Sequence, residues 1–173
     1  MGYHMYILYD HDDELMRSLS PFFMEGLRRR EHCVWIPRQG IMAHQAINML
    51  KFRIPDIEDF LLTDQMYIGQ YEEWYLDEKG NFCRECALAK WRERYDYATQ
   101  AGYPMMRAVG DSHEVSEKDW QEVIEYERMI NESIADLNII ALCAYNGRYL
   151  KPTQIRGLLS HHLCSFASSG ETV

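Results

Sequence analysis

His4-Met-Tyr-Ile-Leu-Tyr9 runs into Asp10-His-Asp-Asp13, then into Leu15, Leu19, Phe22, Phe23 and Leu27 at helical spacing, and then into Cys33-Val-Trp-Ile36. The first and last pieces are short apolar runs of strand formers. The middle is an amphipathic helix entered through acidic residues. Strand, turn, helix and strand over this length make a βαβ unit, and such units build parallel sheets. When such a turn binds phosphate it is glycine-rich, and its amides cradle the anion. Here it holds three carboxylates and no glycine. Negative charge at a helix N-terminus is expected to satisfy its amides and dipole from within the chain. A phosphate would be repelled, so the scaffold is expected to serve something other than NTP hydrolysis.

The same alternation continues outward from this unit. Ile41 to Leu50 reads as a helix, and Pro55 to Leu62 as a second with proline in its first turn. Gln65 to Tyr71 reads as a strand that Trp74-Tyr-Leu76 extends or pairs with, and Asp77-Glu-Lys-Gly80 as a turn. A long helix is predicted from Cys83 to Gly102, with Ala87, Trp91, Tyr95 and Ala98 on one face. Met105 to Val109 is the next strand. Ser116 and Asp119 resemble a capping box opening a helix to about Ala135, with Trp120, Val123, Glu127, Ile130 and Ile134 along one side. Asn138 to Tyr145 is the most apolar strand and is expected at the centre of the sheet. Pro152 starts a last helix ending near His161, Leu163 to Ala167 is a candidate edge strand, and 168–173 reads as a frayed tail. The whole predicts an α/β three-layer sandwich with a mostly parallel sheet, as one domain over 1–167.

Composition narrows the function. A chain of 173 residues can bury a proper core, and its net charge of −9 argues against a nucleic-acid role. Arg28-Arg-Arg30 closes the first helix, where cations complement the dipole. No apolar run is long enough for a membrane span or built like a signal peptide. Five cysteines, an odd number, do not resemble a secreted disulfide framework, so reduced thiols in a cytoplasmic setting are expected.

The ordered elements resemble those of the MEDS domain, a sensory domain of methanogen and methylotroph proteins and of a dichloromethane-responsive regulator. The resemblance rests on His4 to Tyr9, Pro21-Phe22 with Glu25-Gly26-Leu27, Glu31-His-Cys-Val-Trp35, Gly102 with Arg107-Ala-Val-Gly-Asp111, Tyr126-Glu127 with Asn131, Leu142-Cys143-Ala-Tyr145, and Pro152, Leu158-Leu159 and His161. It implies kinship to RecA-like clock ATPases that have lost the phosphate loop. It also implies a non-catalytic sensor of small hydrocarbon derivatives or related metabolites, acting in signal transduction or transcription regulation. Such domains often sit beside DNA-binding or kinase modules. None is visible in this sequence, so output is expected through a regulator or kinase partner, or through a second copy of the chain.

In open α/β sheets ligands bind beyond the carboxyl ends of the strands. The residues there are Tyr9, His11, Arg38, Asp111, His113 and Tyr145, a mix that suits a small, partly polar organic molecule. The alternative site is Cys83-Arg-Glu-Cys86, a thiol pair opening a helix, suited to a disulfide switch or a soft metal such as zinc. Zinc would need two more ligands, and in the sequence His161, His162 and Cys164 are the only other compact set. Otherwise no cofactor is expected. Cys33 and Cys143, inside apolar strands, read as small buried hydrophobes. An enzymatic reading would rest on His113 between Asp111 and Glu114, but no nucleophile elbow, zinc helix or dinucleotide fingerprint accompanies it. A protein-interaction scaffold without a ligand is the remaining class.

Overall fold

The computed structural model describes residues 2–112, 119–162 and 164–165. In chain order the elements are β1 (Tyr3–Tyr9), α1 (Asp12–Arg28), β2 (His32–Ile36), α2 (Ala43–Lys51), α3 (Ile57–Leu62), β3 (Met66–Ile68) and α4 (Tyr71–Tyr75). They continue with α5 (Arg84–Gln100), β4 (Met106–Ser112), α6 (Trp120–Ser133), β5 (Ile139–Asn146), α7 (Pro152–Leu159) and β6 (Cys164–Ser165). A 3-10 turn over Gly147–Tyr149 links β5 to α7. The six strands lie in the order β3-β2-β4-β5-β1-β6, and every pairing is parallel. All carboxyl ends therefore share one edge of the sheet. The apolar strand predicted to be central is β5, between β4 and β1.

Strand alternation divides the side chains between two layers. Ile7, Tyr9, Cys33, Trp35, Val109, Leu142 and Ala144 pack with α1, α2 and α3. Val34, Ile36, Met106, Ala108, Ile139 and Ala141 pack with α4, α5 and α6. Cys143 and Tyr145 meet Leu158 of α7 and Trp120 and Ile124 of α6. The α1 stripe read from the sequence is buried throughout: Leu15, Leu19, Phe22, Phe23 and Leu27 all turn inward. Close approach of α1 to the sheet requires Gly26, because a Cβ there would lie 2.6 Å from Arg107 Cδ and 2.7 Å from Cys33 Sγ.

Several local expectations are corrected. Trp74-Tyr-Leu76 does not extend β3. Tyr71–Tyr75 is the short helix α4, which buries Trp74 and Tyr75, and Leu76 makes an isolated bridge to Phe82. Aromatic burial against α5 outweighs strand propensity there. Pro55 precedes α3 rather than lying in its first turn, and Asp56 is the boundary residue. The acidic residues opening α1 do not cap it. His11 holds the N-cap position without a side-chain bond, while Asp12 pairs with Arg38 and Asp13 with Arg53. Guanidinium partners outcompete backbone amides for these carboxylates because the bonds are charge-assisted on both sides. Arg28 and Arg29 at the other end both pair with Glu25. Ser116, the tail 168–173 and most of Leu163 to Ala167 lie outside the described residues.

Candidate functional site

Two buried polar groups sit on opposite faces of the sheet. The first gathers at the carboxyl ends of β1, β2 and β4. The Tyr9 hydroxyl donates to Asp111 Oδ1 at 2.7 Å, and the Arg38 amide donates to Asp111 Oδ2 at 3.4 Å. The Arg38 guanidinium stands 3.6 Å from the same oxygen and donates to both Asp12 oxygens at 2.8 Å. Asp111 has no solvent exposure. Burial pushes its carboxyl from 3.8 up to about 6, and the Tyr9 and Arg38 contacts offset only part of that rise. The Tyr9 phenol is held far above its ordinary range, first by burial and then by the Asp111 charge.

Tyr9, Arg38 and Asp111, three of the residues expected at the strand ends, are thus brought together. They bind one another. Tyr145 is not with them. It stands level with Leu8 and Ser112, whereas Tyr9 is level with Asn146 and Asp111 with Ala144. One step of register turns its side chain to the other face. His11 is exposed at the start of α1, and His113 lies outside the described residues.

The second group lies on the α6 face. Tyr145 donates its hydroxyl to Glu127 Oε1. Glu127 Oε2 is 3.2 Å from His4 Nε2 and 3.0 Å from His162 Nε2. His4 Nε2 is also 3.4 Å from Cys143 Sγ, and the two imidazole rings are 4.1 Å apart. His162 Nδ1 is anchored on the Leu158 carbonyl at 2.7 Å. Ligand atoms of His4, Glu127, Cys143 and His162 all lie within 4.8 Å of one another. Burial alone would push the Glu127 carboxyl up, but His162 and His4 outweigh it and hold it well below the usual carboxylate range. The Cys143 thiol is pushed up by burial and by the Glu127 charge.

Beside this group a cavity of about 600 Å³ runs between the sheet and helices α5 and α6. Leu88, Trp91 and Tyr95 wall it from α5, Tyr126 and Ile130 from α6, and Ala141 from β5. Glu127, Cys143 and Tyr145 border it, as do Gly110 and Ser112 at the end of β4. Trp91 Nε1 donates to the Tyr126 hydroxyl at 2.8 Å, which fixes one wall.

The cysteine pair at the start of α5 is present as a Cys83–Cys86 disulfide. Among the described residues no metal-ligand group forms around it, and His161 is not part of the cluster that does form. The neighbouring His162 is. Cys164 is described only as a backbone position in β6.

The family comparison agrees with these elements. The sequence model of the methanogen/methylotroph, DcmR sensory domain matches residues 3–163, from the first strand to just before β6. The chain belongs to the MEDS family. As a MEDS domain it has a sensory role. Comparison with curated proteins returned no match. Among its described residues no helix is long and apolar enough to cross a membrane.

In the sequence His162 stands out only as a possible partner of the Cys83 and Cys86 thiols, and His4, Glu127 and Cys143 are not singled out as site residues. Two signals point to them. Glu127 is a charge on the apolar stripe of α6, between Val123 and Ile130. Period-two alternation also places Cys143 on the same face as Tyr145.

Proposed function

We propose that this MEDS domain senses a small, largely apolar organic molecule that enters the cavity between the sheet and α5 and α6, and that it acts by binding rather than catalysis. The aromatic-walled cavity of about 600 Å³ carries this reading. Its size falls within the range of small-molecule sites; Glu127, Tyr145 and Ser112 supply polar groups toward the ends of β4 and β5, and Arg92, Arg128, Glu132 and Ser133 line its α5 and α6 side. The Tyr9–Asp111–Arg38–Asp12 group on the opposite face supports the same choice, because most of its donors and acceptors pair with one another and, of its buried side-chain atoms, only Arg38 Nη1 is left without a hydrogen bond. A hydrocarbon derivative with one polar group fits the cavity chemistry. Occupancy would alter the packing of α5 and α6, and a partner protein or second copy would read that surface.

The test uses Trp91, which lines the cavity. Short brominated alkanes are titrated while tryptophan fluorescence is followed, with calorimetry on matching alcohols and chloroalkanes. Saturable quenching is expected, and Ala141→Phe, which projects a ring into the space, should weaken it while the circular dichroism of the folded chain is retained. Linear, unsaturable quenching equal in both proteins, with no heats, refutes the reading.

A second reading is a thiol switch, and the Cys83–Cys86 disulfide at the N-terminus of the cavity-covering α5 favours it. Thiol counting before and after dithiothreitol, with ligand titrations in both states, tests it. Identical binding in the two states rejects it.

A further inference from the structure

Four elements distant in sequence deliver the buried group on the α6 face: His4 from β1, Glu127 from α6, Cys143 from β5 and His162 from the segment after α7. We infer that this group is a binding site for one divalent transition-metal ion of the zinc class, ligated by His4 Nε2, His162 Nε2, Glu127 Oε2 and Cys143 Sγ.

Spacing is the first support. The observed separations of 3.0, 3.2 and 3.4 Å are close to the edges of a zinc tetrahedron, roughly 3.3–3.7 Å for bonds of about 2.0–2.3 Å. The widest pair, within 4.8 Å, closes with small side-chain rotations.

The imidazole orientation is the second support. His162 Nδ1 reaches the Leu158 carbonyl at 2.7 Å, so that nitrogen carries the proton and Nε2 presents its lone pair inward. A metal-bound histidine is commonly fixed in this way by an outer carbonyl. Glu127 Oε2 and His162 Nε2 then face each other at 3.0 Å as two acceptors. Neither is aligned as a hydrogen bond, and both are buried without a hydrogen-bond partner. A carboxylate oxygen and an imidazole nitrogen directed at one buried point leave a place that a metal ion fills when Nε2 is unprotonated.

Charge balance is the third. One divalent ion, one carboxylate and one thiolate sum to zero, which suits a site with His4 and Glu127 each only 1 % exposed. On binding, the metal–Sγ bond forms as the thiol proton leaves to solvent, with no change of oxidation state. Two imidazoles, one thiolate and one carboxylate favour zinc over magnesium or calcium, which take oxygen ligands. Four protein ligands close the coordination shell, so the ion acts as a clasp holding the segment after α7 onto the sheet. This inference stands apart from the ligand reading, since the cavity and the metal are assayed separately.

The experiment strips the full chain with chelator, then titrates zinc against a chromophoric competitor and cobalt by absorption. One ion per chain is expected, with a thiolate-to-cobalt charge-transfer band and the intense visible bands of a tetrahedral site. Cys143→Ser should abolish the charge-transfer band, and His162→Ala should weaken zinc binding by ~10-fold or more. Cys83→Ser with Cys86→Ser should leave both signals intact. Failure of the wild-type chain to bind zinc at micromolar concentration overturns the inference. So does cobalt binding without a charge-transfer band, or a band that survives Cys143→Ser. The wild-type readouts decide the matter even where a variant does not fold.

Discussion

Asp111→Asn removes a charge that the protein holds with no solvent exposure. A carboxyl moved from 3.8 to about 6 binds its proton more tightly in the folded chain than in the unfolded one. The native state then carries more protons between those two values, so stability must fall as pH rises through that window. Below 3.8 the cost is absent, and above about 6 it is complete. Its full size is about 3 kcal/mol, at about 1.4 kcal/mol per pH unit. Asparagine keeps the shape but offers one acceptor where the Tyr9 hydroxyl and the Arg38 amide both donate. That mismatch costs about 1–3 kcal/mol and does not vary with pH. Urea unfolding of both proteins from pH 4 to pH 7.5 isolates the effect, because every other titrating group is shared. The stability of the variant relative to wild type should improve by about 2–2.5 kcal/mol across the range. A difference that is flat with pH, or that moves against the variant, would show that Arg38 and Tyr9 compensate fully for burial.

Gly26→Ala pushes a methyl into Arg107 Cδ and Cys33 Sγ, and should lower stability by about 1–3 kcal/mol in denaturant titrations, with unchanged circular dichroism. Arg107, bound to Glu31 and to the Phe22 carbonyl, forms a buried pair. Arg107→Met alone should cost about 3–5 kcal/mol by stranding Glu31, whereas Arg107→Met with Glu31→Leu should recover most of that loss; equal losses would mean the pair is not coupled. Reducing the Cys83–Cys86 disulfide opens a loop of only a few residues, so the unfolding midpoint should drop by no more than about 2 kcal/mol in free energy.

The strands and helices were legible because their signals are local and periodic. Leu15, Leu19, Phe22, Phe23 and Leu27 repeat at helical spacing, and the run ending at Tyr145 is apolar enough to demand a central place. The α4 segment was misread because Trp74 and Tyr75 favour strands in isolation, while their helical form depends on contact with α5 and its Trp91. The carboxylates opening α1 suited capping by composition. Their true partners, Arg38 and Arg53, come from turns no local rule connects to them. Site membership failed at a similar point. Tyr9 and Tyr145 both end strands, but the register between β1 and β5 sets which face each side chain takes, and that register is a property of the assembled sheet.

Asp111 and Glu127 show why burial alone says little about what a carboxylate does. Both are essentially without solvent, on opposite sides of one sheet, and burial opposes the charged form of each. Asp111 receives one phenol and one backbone amide, with the guanidinium that would help it turned mainly to Asp12. Its carboxyl stays above the ordinary range. Glu127 meets two imidazoles and a phenol at close range, and its carboxyl is held below that range. The first arrangement uses its donors to fasten α1 and the turn after β2 to the sheet ends. The second gathers two imidazoles, a thiol and a carboxylate at one point, leaves Glu127 Oε2 and His162 Nε2 without an aligned hydrogen bond, and does so on the wall of the cavity. Packing requirements explain the first group. They do not explain the second, where an apolar set of the same volume would stabilise the fold as well or better.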